Sequence, residues 1–322
     1  MRAEPNLQHL VTRLREGNPR ALARAITMVE NRTPESIELL KALFPYSGNA
    51  LLVGLTGAPG AGKSTLVDQI AREYRKQGKT IGIVAVDPTS PFSGGAILGD
   101  RIRMQSHHAD AGIYIRSMAT RGSLGGLAST TADVATVLDA SGRDLVMIET
   151  VGVGQDEVDI VRLADVTIVI LVPGMGDDVQ TIKAGIMEIA DIFVINKSDR
   201  EGAERVEREI RAMQSLASRH DDWVPPIVKT VASDGAGITE LVQTIEKYRE
   251  YLQRGGRASQ RRAHNWRKRL SEMLRDALFQ HVVSSYLDNG KAEQYAAEVA
   301  EHKRDPYSLV EELVGELGKG SD

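Results

Sequence analysis

The sequence predicts an α/β fold: a mostly parallel sheet of about seven strands with helices on both faces, preceded by N-terminal helices and followed by a C-terminal helical arm. Three observations lead there. Short apolar, β-branched runs alternate with helical patterns from Leu51 onward, a phosphate-binding loop follows the first of them, and both flanks lack strand patterns. Strands covered on both faces read as continuous apolar runs, the mark of a parallel sheet under helices.

In chain order, residues Asn6 to Phe44 show helical spacing through Leu7, Leu10, Val11 and Leu14, then Leu22, Ala25, Ile26 and Val29, then Ile37, Leu40 and Leu43. Breaks near Gly17-Asn18-Pro19 and at Thr33-Pro34 divide this stretch into two or three helices. The expected strands are Leu51 to Thr56, Ile81 to Val86, Ile113 to Ile115, Leu145 to Glu149, Val166 to Val172, Ile192 to Ile195 and Ile227 to Val231. Gln253-Arg254-Gly255-Gly256-Arg257 reads as a linker. Beyond it, Leu270, Met273, Leu274, Ala277, Leu278 and Val282 form an apolar stripe, and Tyr307, Leu309, Val310, Leu313 and Leu317 a shorter one. The expected regions are an N-terminal helical extension at 1–48, a central domain at 49–252 and a C-terminal helical arm at 253–322. The arm must bury its stripe either on the central domain or on another chain.

Composition narrows the function. The 322-residue chain has a formal net charge of -4, which gives no general pull toward nucleic acid or an anionic membrane, although Arg254 to Arg269 is locally basic. The chain has no cysteine, so disulfides, thiolate metal sites and thiol chemistry are excluded. Glu4, Asn6 and His9 stand where a secretory peptide needs an apolar stretch, and no run of about 18 apolar residues occurs. The expected location is the cytoplasm.

The phosphate-binding loop is Gly57-Ala58-Pro59-Gly60-Ala61-Gly62-Lys63-Ser64-Thr65. Glycines let backbone N–H groups approach an anion, and the helix that follows presents its positive dipole end. Lys63 is placed to reach the β- and γ-phosphates and the Ser64 hydroxyl to ligate Mg²⁺. The bland alternative is a glycine-rich turn with an accidental lysine; the strand before and the helix after argue against it. The lysine that some partition-type ATPases carry early in this loop is missing, Ala58-Pro59 standing there instead.

Asn196-Lys197-Ser198-Asp199 closes the sixth apolar run. A carboxylate at Asp199 can accept from both N1–H and the exocyclic amine of guanine, a donor pair adenine lacks, so ATP would leave it unpaired. Lys197 would lay its stem along the base, and Asn196 would hold the loops together. Ala232-Ser233-Asp234-Gly235 follows the seventh run, where a backbone N–H can meet the guanine oxygen. Glu149 ends an apolar run near the loop, as suits a Mg²⁺ ligand, and Gly152 behind it can offer its N–H to the γ-phosphate. Asp87 and Asp100 are further carboxylates that could complete the metal shell.

Together with the phosphate loop, the runs Asp87-Pro88-Thr89-Ser90, Ser93 to Met104, Glu149-Thr150-Val151-Gly152-Val153-Gly154-Gln155 and Asn196-Lys197-Ser198-Asp199 closely resemble the MeaB/ArgK family of P-loop GTPases. The resemblance covers most of the chain. It implies a GTP-hydrolysing, homodimeric chaperone that gates adenosylcobalamin delivery to methylmalonyl-CoA mutase or a related acyl-CoA mutase and protects it, with 49–252 as the GTPase domain and the arm as the dimerisation element. It gives a switch role to Asp87 through Asp100, Mg²⁺ contact or catalytic organisation to Asp100 and Glu149, and γ-phosphate sensing to Gly152. It also makes the loop Gly174 to Lys183 a mobile switch, with functional positions at Asp177, Gln180 and Lys183. Pro91-Phe92 departs from the family pattern and leaves the conformation of the first switch open. Alternatives are a metal-insertion GTPase, for which His107-His108 is the only paired imidazole, an amino-acid transport-associated kinase or ATPase, and a scaffold with a structural nucleotide. No arginine finger is assignable, and Gln155 is a candidate to position water by residue type alone.

Overall fold

The strands β1 (Leu51–Gly57), β2 (Ile81–Asp87), β3 (Ile113–Ala119), β4 (Leu145–Glu149), β5 (Val166–Leu171), β6 (Ile192–Asn196) and β7 (Ile227–Thr230) form one parallel sheet in the order β3-β2-β4-β1-β5-β6-β7. The computed structural model describes residues 7–87, 110–119, 126–150, 163–174, 189–216, 222–287 and 290–317. The expected strands all form. β3 runs four residues beyond its apolar stretch because Arg116 and Ser117, too polar to read as strand, continue its pairing with Val84 and Ala85. β1 lies between β4 and β5, so the chain winds first to one side of β1 and then to the other. Ligands bind at such a switch point, at the carboxyl ends of the strands.

The first face of the sheet is covered by α4 (Lys63–Lys76), which packs Leu66, Val67 and Ile70 on Val53, Leu55 and Ile168 beside residues 238–253. The second face is covered by α1 (Leu7–Arg15), α2 (Pro19–Glu30), α3 (Ser36–Leu43) and α5 (Gly126–Ala140), with Leu14, Leu22, Ile26 and Leu43 sharing one core with Val84, Val146 and Ile148. Residues 7–43 therefore belong to the same core as the sheet. The break expected at Gly17-Asn18-Pro19 is a helix start, where Asn18 Oδ1 accepts the Arg20 and Ala21 amides at 3.1 and 3.0 Å and Pro19 opens α2. α6 (Ala203–Leu216) covers Val169, Phe193 and Ile195.

A row of aspartates closes the amino edge of the sheet. Asp144, Asp165 and Asp191 immediately precede β4, β5 and β6 and accept the amides of Thr80, Leu52 and Thr167 at 2.8, 3.1 and 2.8 Å. Each supplies an acceptor to an amide at the start of a neighbouring strand, where the ladder runs out. Burial raises the Asp144 pKa, but the Thr80 amide and hydroxyl, with Lys79, outweigh it and leave it lowered.

The stretch expected as a linker is a tight turn. α7 (Ile238–Gln253) is followed by a single 3₁₀ turn at Arg254–Gly256, with Gly255 and Gly256 at φ 66 and 74, and α8 (Arg257–Tyr286) starts at once. Two left-handed glycines break the helix without spacing it. By internal contacts the chain divides into Met1–Arg262 and Ala263–Asp322. The second unit comprises the rest of α8, α9 (Lys291–Ala300) and α10 (Pro306–Leu317). Among the described residues no buried apolar side chain lies beyond Leu252, and Leu270, Met273, Leu274 and Leu278 of the predicted stripe are exposed.

Candidate nucleotide site

The loop that leaves β1 is shaped by glycines in backbone conformations that side chains rarely adopt. Gly57 has a φ of 152, and a Cβ there would stand 2.3 Å from the Ile170 carbonyl oxygen of β5. Gly60 and Gly62 have φ of 77 and 87, Gly62 capping α4 in the left-handed region. Ala61 is buried and closes the bend by donating its amide to Ala58 O at 3.1 Å, with Pro59 between them. Lys63, Ser64 and Thr65 then form the first turn of α4, the end of a helix that favours an anion.

Lys63 is buried, and its ammonium donates to the Gly57 and Ala58 carbonyls at 2.7 and 3.1 Å. Those bonds hold the charge against the first two residues of the loop. Ser64 Oγ donates to Glu149 Oε1 at 2.6 Å. Glu149 is 5 % exposed at the end of β4, opposite Leu55 of β1, so strand pairing brings it over the start of α4. A hydroxyl and a carboxylate side by side are a hard oxygen donor set of the kind Mg²⁺ takes. Thr150, next to Glu149, donates its amide and hydroxyl to Leu55 O at 3.1 and 3.3 Å and fixes the exit of β4 to β1. Asp87 ends β2, but its side chain lies outside the described residues, as do Asp100, Gly152, Asp177, Gln180, Lys183 and His107-His108. Among the described residues no group of three or more His, Asp or Glu could hold a metal ion by itself.

At the end of β6, buried Asn196 joins three segments. Its Nδ2 donates to Ala61 O at 2.8 Å, and its Oδ1 accepts the Thr230 hydroxyl and the Ala232 amide, both at 3.1 Å. A Cβ on Gly62 would meet Asn196 Nδ2 at 2.5 Å, so the phosphate loop and this side chain touch without spare room. Lys197 has a φ of 54 and donates its ammonium to Gly60 O at 2.7 Å, laying its stem across the mouth of the site. Asp199 is exposed just beyond. Ser233 and Asp234 are also exposed, in a turn closed by Val231 N to Ala236 O at 3.1 Å, and Gly235 has a φ of 75. The structure thus brings Gly57 to Thr65, Glu149, Asn196 and Lys197 together. Thr230 is a functional contact that the sequence does not single out, since it follows Lys229 at the end of β7 as one of two polar residues there.

A family model described as methylmalonyl-CoA mutase-associated GTPase MeaB matches residues 22–286. The chain belongs to the MeaB family. It is 49% identical to a Pyrococcus abyssi protein whose own naming as a GTPase is an inference, over 97% of each chain. It is 36% identical to the GTPase ArgK of Escherichia coli K12 over 88% of each. The crystal structure of an LAO/AO transport system kinase superposes with a TM-score of 0.73 at 28% identity, covering 98% of this chain and 100% of its own. This MeaB-family chain is accordingly a P-loop GTPase that binds GTP and GDP, as its motifs predict. Among the described residues no helix is long and apolar enough to cross a membrane.

Proposed function

We propose that this MeaB-family GTPase is a cytoplasmic, Mg²⁺-dependent and homodimeric chaperone that gates adenosylcobalamin delivery to an acyl-CoA mutase, methylmalonyl-CoA mutase or a close relative, and protects it. The observation that supports it most is the match to a mutase-associated family over 22–286, on a chain whose site keeps Lys63, Ser64 and Glu149 in contact distance of one another or of the loop.

The chemistry is GTP plus water giving GDP and phosphate. Lys63 and the amides from Gly60 to Thr65 take up charge on the phosphate oxygens, and Gly152 senses the γ-phosphate. Ser64 and Glu149, with Asp87 and Asp100, would hold Mg²⁺, which neutralises charge on the β and γ oxygens when bound. Asp199 accepts from the guanine edge, and Ser233, Asp234 and Gly235 supply a backbone donor to its oxygen. Lys183 and the loop from Gly174 couple the site to the mutase. Catalysis is mainly positioning of a water in line with the scissile bond. Turnover is therefore slow until the mutase completes the site.

Homodimer formation is supported by the exposed apolar face of α8, which finds no core within its own unit. The deciding experiment is phosphate release from GTP and from ATP, with and without a stoichiometric adenosylcobalamin-dependent mutase. Selective GTP hydrolysis that rises with mutase is the expected result. GTP hydrolysis indifferent to any mutase would remove the chaperone reading. The name of the solved relative favours a second reading, a transport-associated kinase, and phosphate transfer from nucleotide to a substrate-binding protein would carry it.

A further inference from the structure

A buried ion pair at the amino edge of β6 has no part in the nucleotide chemistry. Asp191, 1 % exposed, immediately precedes β6. Its carboxylate accepts the Thr167 amide at 2.8 Å, the Tyr248 hydroxyl at 2.6 Å and the two terminal nitrogens of Arg261 at 3.0 and 2.7 Å. Arg261 also donates to the Tyr248 hydroxyl at 2.6 Å, and Trp223 Nε1 donates to the Asp191 carbonyl at 2.8 Å. Arg261 belongs to α8, not to the sheet. Its neighbour Arg262 donates to Gly48 O at 2.8 Å and lies 3.5 Å from Asp165.

A carboxylate this deep depends on its partners, because an unpaired buried charge is too costly to keep, and the forked guanidinium fixes where it sits. Between that clasp and the nucleotide loops lies a single short strand. β6 has five residues, Ile192–Asn196, all buried. Its far end is Asn196, bonded to Ala61, Thr230 and Ala232 and in contact with Gly62. A displacement of a few tenths of an ångström along β6 therefore changes the bond from Asn196 to the phosphate loop and the placement of Lys197 and Asp199 behind it.

We propose that Arg261 is a positioning residue for the guanine motif, acting through Asp191 and β6 on Asn196, and so sets nucleotide affinity from the opposite edge of the sheet. Binding linkage is reciprocal, so nucleotide must also tighten the Arg261 clasp.

The test uses the full-length protein with a fluorescent GDP analogue. Arg261→Lys keeps the charge and loses the fork; it is expected to weaken analogue binding about 5- to 150-fold, the usual span of coupling between sites. Arg262→Met, which removes the neighbouring cation, is expected to leave affinity within about twofold. In the wild type, GDP is expected to slow amide hydrogen exchange in residues 257–265, and Arg261→Lys to abolish that slowing. A lysine variant with a lowered melting temperature but unchanged affinity and unchanged exchange response would make the clasp structural only. Should Arg261→Lys not fold, Tyr248→Phe removes one donor from Asp191 while keeping the ring, and an unmoved affinity there overturns the proposal equally. Wild-type protein that bound no GDP would instead strike at the nucleotide site itself, so the two failures are distinguishable.

Discussion

Ser64 on α4 and Glu149 at the end of β4 are 85 residues apart in sequence, yet the serine hydroxyl donates to the carboxylate at 2.6 Å. The contact follows from the sheet order. β4 pairs with β1, Glu149 lies opposite Leu55, and α4 begins six residues after β1 ends. A glutamate reaches one methylene further than an aspartate, and here it spans to the first turn of α4.

Replacing Glu149 therefore affects turnover more than nucleotide capture. Glu149→Gln keeps the Ser64 bond and loses the charge, and we expect kcat to fall by about 10²- to 10³-fold, as when one preorganised charge-stabilising group is removed. GDP affinity in the absence of divalent cation should stay within about threefold. Steady-state phosphate release alongside GDP titration checks this, and parallel losses in both would show that Glu149 supports the loop and not the reaction.

Asp199 stands exposed at the mouth of the site with Lys197 bonded across it to Gly60. Asp199→Asn exchanges an acceptor for a donor, and we expect GTP affinity to fall by about 10²-fold or more while xanthosine triphosphate, which presents an oxygen in place of the exocyclic amine, gains. Competition binding with the two nucleotides reads the exchange directly. Unchanged GTP affinity would remove Asp199 from base recognition.

The exposed face of α8 is tested by Leu274→Glu. If that face is covered by a second copy, the variant becomes monomeric at concentrations where the wild type is dimeric. Its melting temperature should then fall, because the leucine is 61 % exposed in the single chain and costs nothing there when replaced. Light scattering after size exclusion gives the mass.

Asp144 predicts a pH dependence. Its pKa is held low by the Thr80 amide and hydroxyl against the opposing effect of burial. A lowered folded value means that its contribution is fully present above the ordinary carboxylate range and is lost as pH falls through the folded value. Asp144→Asn should thus melt earlier than wild type near neutral pH, and the two should converge as pH falls through the ordinary carboxylate range and on through the lowered folded value. A gap that persisted in acid would assign the effect to packing.

The seven strands, and an N-terminal stretch of two or three helices that the structure resolves as three, are legible in the sequence because period and apolar continuity are local properties, written within a dozen residues. β3 was foreshortened where Arg116 interrupts the apolar run, although its guanidinium is paired with Glu30 of α2, a partner no local pattern reveals. The run at Gln253 to Arg257 shows the same limit: its glycines announce a break, but whether a break separates two helices or merely turns one into the next depends on what each packs against.

By itself the sequence determined the phosphate-loop motif, the Asn196-Lys197-Ser198-Asp199 run and the alternation that makes a covered parallel sheet, since each is contiguous and set by residue type and spacing. Only the tertiary structure decided that Asn196 ties the phosphate loop to Thr230 and Ala232, and that Glu149 meets Ser64. It also decided that Asp191 is clasped by Arg261 from 70 residues away. Those pairings depend on which strands lie side by side and which ends of them face the helices. Strand order is fixed by the balance of burial over the whole sheet, a sum that no local stretch of chain contains.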